Sequence, residues 1–131
     1  MGCFYVDAVI RNVAQREREE SVPRLLVDTG RERTWVPREV LERLGVRRDK
    51  KDLVFTMANG QQITRSVGYA IVEVTPQYET VDEVVFAEPG DLSLLGARTL
   101  EGLGARVDPE QKKLVAAGPS PAAGNISNYD Y

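Results

Sequence analysis

The chain has 131 residues, 42% of them apolar and 28% charged, with 17 basic and 20 acidic side chains for a formal charge of −3. That length suits one domain with a conventional core, and the acidic surplus argues against a nucleic-acid or anionic-membrane binder. The sequence contains no histidine, which removes Ser-His-Asp and Cys-His catalysis, histidine metal sites and histidine acid/base chemistry. Any catalysis falls to carboxylates, lysine, tyrosine or the backbone.

The single cysteine, Cys3, has no internal disulfide partner, so a reducing, cytoplasmic setting is expected. It lacks a nearby basic cluster and reads as a half-buried strand residue, not a redox thiol. Apolar stretches are far too short for a membrane span. Met1 to Asp7 has no signal-like apolar block, and Val6 stands where a myristoylation signal needs Ser or Thr.

In chain order, Phe4 to Ile10 reads as a strand with Phe4, Val6, Ala8 and Ile10 on one face. Arg16 to Ser21 is charged and reads as a solvated turn or strand edge. Pro23 to Val27 is a second strand running into Asp28-Thr29-Gly30. Trp35 to Gly45 reads as a short helix, with Pro37 at its first position, Gly45 just past its end and Val40, Leu41 and Leu44 on one face. Trp35 is expected in the core. Arg47 to Asp52 alternates in sign and reads as an exposed connector; interleaved aspartates make phosphate contacts by Arg47, Arg48, Lys50 and Lys51 the weaker reading.

Leu53 to Val74 reads as a long hairpin turned at Asn59-Gly60, with Gly68 as a place to bend. Thr80 to Phe86 is another strand, with Val81, Val84, Val85 and Phe86 as its apolar set, and Glu88 to Asp91 is a turn. Leu92 to Gly96 leads into a short helix ending at Gly104, and Ala105 to Val115 is a hairpin turned at Pro109-Glu110. Residues 117–131 have the composition of a flexible tail. Asn125-Ile126-Ser127 matches a glycosylation acceptor left idle without a secretion signal. The tail's two tyrosines suit a contact with a neighbouring molecule or a pseudo-substrate segment. Many short strands with one or two short helices predict an all-β domain over residues 1–116, built as a closed or sandwiched barrel.

Leu25-Leu26-Val27-Asp28-Thr29-Gly30 carries the chemistry. It places a carboxylate at the end of an apolar strand, where burial without compensation is costly. Alone the tripeptide is weak, arising by chance in roughly one chain in twenty of this size, and a turn aspartate capping its own loop is the plain alternative. Thr34, Pro37 and a short helix follow it, then the Asn59-Gly60 hairpin, then Leu94-Leu95-Gly96 and a second helix.

In this order the elements resemble the retropepsin-like (retroviral-type) aspartic peptidases, in their small single-domain prokaryotic form, over residues 3 to about 116. The resemblance implies a closed acid-protease-type β-barrel with one flap hairpin, working as a symmetric homodimer on an extended peptide or protein, with no metal or cofactor. Asp28 would be the one catalytic aspartate each subunit supplies, sharing a proton with its counterpart on the two-fold axis. Thr29, Gly30 and Thr34 would support it, and Met57, Ala58, Asn59, Gly60 and Gln61 would form the flap tip over the substrate. Leu94, Leu95 and Gly96 would pack behind the catalytic loop.

Two departures bear on that reading. Arg31, followed by Glu32 and Arg33, stands where the family carries a small residue, and a guanidinium there favours an ionised Asp28. Arg31 either pairs with Glu32 and points outward or selects acidic substrate residues. Ala97-Arg98-Thr99 replaces the Gly-Arg-Asp or Gly-Arg-Asn of the family, which bears on its buried arginine tie. The alternative to an endopeptidase is a retropepsin-fold dimer acting as a peptide-binding or scaffold module.

Overall fold

The computed structural model describes residues 3–75, 78–119 and 121–123. The fold is mostly β. Strands β1 (Tyr5–Arg11), β2 (Glu19–Val27) and β3 (Thr34–Pro37) precede a one-and-a-half-turn helix, α1 (Arg38–Arg43). The long strands β4 (Lys50–Thr56), β5 (Gln62–Thr75) and β6 (Tyr78–Ala87) follow, then β7 (Leu94–Leu95), α2 (Ala97–Leu103), β8 (Ala105–Asp108) and β9 (Lys113–Ala116). The main sheet has seven strands in the order β1-β2-β7-β3-β6-β5-β4, with β1 also pairing β5, while β8 and β9 form a separate hairpin.

Alternation places Ala8 and Ile10 of β1, Val36 of β3 and Val84 and Phe86 of β6 in one buried cluster. A register shift in the β1–β2 pairing, with Arg24 at φ +59°, brings both Val22 and Leu25 of β2 to it. Val40, Leu41 and Leu44 of the α1 region and Leu100 and Leu103 of α2 close over it. Gly45, at φ +72°, ends the α1 segment in the left-handed conformation glycine adopts without steric cost.

Several sequence expectations need correction. Trp35 and Val36 are strand residues, and Pro37 precedes the helix instead of opening it. The cause is non-local: Thr34 to Pro37 pair in parallel with Val84 to Ala87, and ladder bonds override the local helix signal. Lys50 to Asp52 belong to β4, paired with β5, so the charged connector is shorter than expected. Gly68 marks no break, because β5 runs straight through it; a Cβ there would lie 2.2 Å from the Arg47 carbonyl oxygen, so close approach explains the glycine. Val81 is exposed, on the face opposite Val84 and Phe86. Cys3 is exposed ahead of β1, since pairing begins only at Tyr5. No helix among the described residues is long and apolar enough to cross a membrane. The expectations for Asn125-Ile126-Ser127 and the terminal tyrosines lie outside the described residues.

Candidate active site

Asp28 stands where β2 stops. The last two residues of β2 pair in parallel with β7, Leu26 with Leu94 and Val27 with Leu95. The Asp28 N–H then donates to the Leu95 carbonyl at 3.0 Å. Beyond that bond the chain turns within three residues. The Arg31 N–H donates to the Asp28 carbonyl at 3.2 Å, and the Gly30 N–H donates to Asp28 Oδ1 at 2.9 Å. Asp28 therefore caps its own turn with one carboxylate oxygen. A Cβ at Gly30 would sit 3.2 Å from that oxygen, so the residue with no side chain lets the backbone close on the carboxylate. The other oxygen, Oδ2, faces Arg31 Nε at 3.5 Å. Asp28 keeps 28% of its side chain exposed, and Thr29 is exposed beside it.

The far side of the loop is braced by the segment after β7. Ala97 N–H donates to the Arg31 carbonyl at 2.8 Å and Arg98 N–H to the Glu32 carbonyl at 3.0 Å. Gly96 passes so close that a Cβ would lie 2.5 Å from the Arg33 carbonyl oxygen. Leu94 and Leu95 are buried and Gly96 is pressed against the loop, so the structure brings this triplet directly behind Asp28.

Thr34 lies deeper. Its hydroxyl accepts the Gly96 N–H at 3.0 Å and contacts Thr99 Oγ1 at 2.5 Å, while Thr99 Oγ1 donates to Asp82 Oδ2 at 3.0 Å. Thr99 spends its single proton on Asp82, so Thr34 must be the donor between the two threonines. Both side chains are fully buried. This directional chain ties β3, the start of α2 and β6 together behind the loop.

Arg31 does not pair with Glu32. Glu32 Oε1 lies 3.4 Å from Arg98 Nη1, and Arg31 turns to Asp28 instead. Arg98 also approaches buried Glu83 at 3.3 Å, so it is a half-exposed clamp between two carboxylates and not a buried tie. Glu83 is held chiefly by a hydrogen bond from Lys50 at 2.7 Å, which keeps its carboxyl below the usual glutamate range although burial opposes this. Arg33 lies 3.9 Å from Glu83, and its Nε is buried without a hydrogen-bond partner.

The hairpin from β4 to β5 carries the expected turn. Met57 N–H donates to the Gln61 carbonyl at 2.7 Å, Gly60 N–H to the Met57 carbonyl at 2.9 Å and Gln61 N–H to Asn59 Oδ1 at 2.9 Å. Gly60 sits at φ +87°, and Met57 to Gln61 are exposed. Two recesses open between this hairpin and the Asp28 loop. One of about 170 Å³ is lined by Arg31, Trp35, Met57, Ile63, Asp91, Leu92 and Leu94 among others; one of about 320 Å³ is lined by residues 30–33, Trp35, Phe55 and residues 56–58.

Trp35 is thus a groove wall, against the core position expected for it. Thr34 and Val36 point inward, so alternation turns Trp35 outward, edge-on to Phe55 with ring centroids 5.0 Å apart. The sequence reading also missed Ile63, Leu92 and the Arg65–Asp91 pair, in which two hydrogen bonds of 2.7 and 2.9 Å fix the turn beside the groove. Asp91 also accepts the Glu88 N–H at 2.8 Å. The Glu-Pro-Gly-Asp turn was visible in the sequence, but its arginine lies 26 residues away.

A family model described as "gag-polyprotein putative aspartyl protease" matches residues 19–102, which spans β2 through the body of α2. No curated protein matches the chain.

Proposed function

The chain belongs to the retroviral-type aspartyl protease family, and from that premise we propose that it is an aspartic endopeptidase whose active unit is a homodimer with one Asp28 from each subunit. The observation that carries this reading is Asp28 itself. A partly exposed carboxylate is fixed by the Gly30 N–H at Oδ1 and faces Arg31 at Oδ2, and its neighbours Gly30 and Arg31 line a groove under the hairpin. One such carboxylate lacks the second proton carrier that the chemistry needs. The β1–β5 pairing returns the strand order to its starting strand, which supports reading the sheet as a closed barrel with the Asp28 loop on its surface.

Two Asp28 carboxyl groups in contact hold one proton between them, because two adjacent negative charges are costly. The ionised member takes a proton from a water held between them, and the water oxygen bonds to the peptide carbonyl carbon. The protonated member gives its proton to the carbonyl oxygen, producing a tetrahedral diol. Collapse of the diol breaks the C–N bond as one carboxyl proton passes to the leaving amine nitrogen and a diol hydroxyl returns its proton to the other carboxylate, which restores the shared-proton pair. Thr29, exposed next to Asp28, would cross-brace the two loops. The hairpin tip, Met57 to Gln61, would cover a peptide bound in extended form.

The test is peptide cleavage by wild-type protein mixed with Asp28→Asn protein. If each site needs both aspartates, equimolar mixing of freely exchanging subunits lowers activity per wild-type chain by about half, because mixed dimers are dead. Activity that stays proportional to wild-type chains alone overturns the shared site.

A further inference from the structure

Of the cationic side chains around the groove, Arg31 is held only loosely, by Asp28 at 3.5 Å. Glu32 is bonded to Arg98 and buried Glu83 to Lys50. That leaves Arg31 facing Asp28, while Arg33 lies 3.9 Å from Glu83. Arg31 touches both recesses and keeps 51% of its side chain exposed. Its Nε stands 3.5 Å from Asp28 Oδ2, long for a charge-assisted hydrogen bond. Among the described residues Arg31 has no other carboxylate partner. Trp35, Met57, Leu92 and Leu94 give one recess apolar wall, and Trp35, Phe55 and Met57 do so in the other, which Glu32, Arg33 and Thr56 also line. Asp91, the acidic group in the smaller recess, is already neutralised by Arg65. Arg33 also lines the larger recess, but its Nε is buried there without an acceptor.

We propose that this groove selects extended peptides bearing an acidic side chain beside the bond presented to Asp28, and that Arg31 is the residue that reads that carboxylate. This rests on the peptide-binding reading of the groove given above. A guanidinium can exchange one carboxylate for another at little cost, because both offer the same planar acceptor pair. When the peptide's carboxylate takes Arg31, Asp28 Oδ2 is freed for a water or a partner carboxyl group. The same contact thus recognises the peptide and uncovers the aspartate. A neutral or basic side chain leaves Arg31 on Asp28, and a basic one also meets the like charge of Arg31.

The experiment uses Asp28→Asn protein, which is able to bind without turning over, and a pool of octapeptides randomised at every position. Captured peptides are read by mass spectrometry. The expected result is an enrichment of Glu and Asp of about fivefold at one or two positions, a typical size for a half-exposed charge pair, reduced by raising salt. Arg31→Gln in the same background is expected to abolish the enrichment while still capturing peptides of apolar character. Circular dichroism shows whether the variant folds, and Arg31→Lys is expected to restore part of the preference. No capture, capture without acidic enrichment, or enrichment that survives Arg31→Gln overturns the proposal. Cleavage of the captured peptides by wild-type protein is scored separately. Acidic selection without cleavage leaves the recognition standing and removes the peptidase reading; cleavage without acidic selection does the reverse.

Discussion

Thr34→Val is a near-isosteric change at a fully buried position that leaves the core volume unchanged. Its effect is read from the hydroxyl chain running from the Gly96 N–H through Thr34 and Thr99 to Asp82. The substitution orphans the Gly96 N–H, at a cost of about 1–3 kcal/mol for an unsatisfied buried donor, and removes the Thr34–Thr99 bond, worth about 1 kcal/mol. The expected destabilisation is about 2–3 kcal/mol. Thr99→Val removes a donor to the Asp82 carboxylate and leaves Thr34 without an acceptor, and a loss of about 2–3 kcal/mol is expected again. The two single losses both count the Thr34–Thr99 bond. The double variant is therefore expected to lose about 1 kcal/mol less than their sum. Urea unfolding of the four proteins at one fixed chain concentration measures this, fixed because assembly would shift apparent stability by mass action. A Thr34→Val protein within about 0.5 kcal/mol of wild type, or a strictly additive double variant, would refute the directional chain.

Asp28→Asn is expected to lower peptide turnover by at least about 1,000-fold while leaving the urea midpoint unchanged, since the amide can still accept the Gly30 N–H. Gly96→Ala drives a Cβ to within 2.5 Å of the Arg33 carbonyl oxygen; it should cost more than about 2 kcal/mol in unfolding and lower turnover as well. Acid should destabilise the protein. Arg65 hydrogen bonds hold the Asp91 carboxyl below the usual aspartate range, and the Lys50 hydrogen bond holds Glu83 below the usual glutamate range. Folded values below unfolded ones give stability that is present above the unfolded values and is lost as the pH falls through them toward the folded ones. The urea midpoint should therefore be level above about pH 5 and decline below it, and Glu83→Gln should flatten that decline; an unchanged slope would remove Glu83 from the account. Sedimentation equilibrium of the wild-type chain should give twice its 14.6 kDa at micromolar concentration, and a monomer throughout would contradict the shared site.

What could be read from the sequence was short-range. The Asp28 turn closes within three residues and the Asn59-Gly60 turn within five, so residue type alone carries the geometry. The α1 stop at Gly45 and the α2 stop at Gly104 are likewise local, both glycines having positive φ. What could not be read was carried by long-range partners. The stretch at Trp35 has a helix-start proline, yet its parallel pairing with β6 makes it a strand and turns the tryptophan into the groove. Lys50, Arg98 and Glu83 come from β4, α2 and β6 and look like unrelated surface charges until the sheet assembles them. Glu83 gave little warning, since it sits in a run with Val84 and Val85 that does not alternate in polarity. Arg31 was visible as a departure, but its choice of Asp28 over Glu32 depended on Arg98, 66 residues beyond Glu32, claiming that glutamate.

The central claim is that two Asp28 side chains meet, and a crosslink tests it without any substrate. In Cys3→Ser protein carrying Asp28→Cys, mild oxidation should give a disulfide-linked species of twice 14.6 kDa, reversed by thiol. The same background with Val81→Cys, an exposed position on β6 away from the Asp28 loop, should stay at the mass of one chain. A position-28 cysteine that stays unlinked, or links no faster than the cysteine at position 81, would contradict the two-subunit active site.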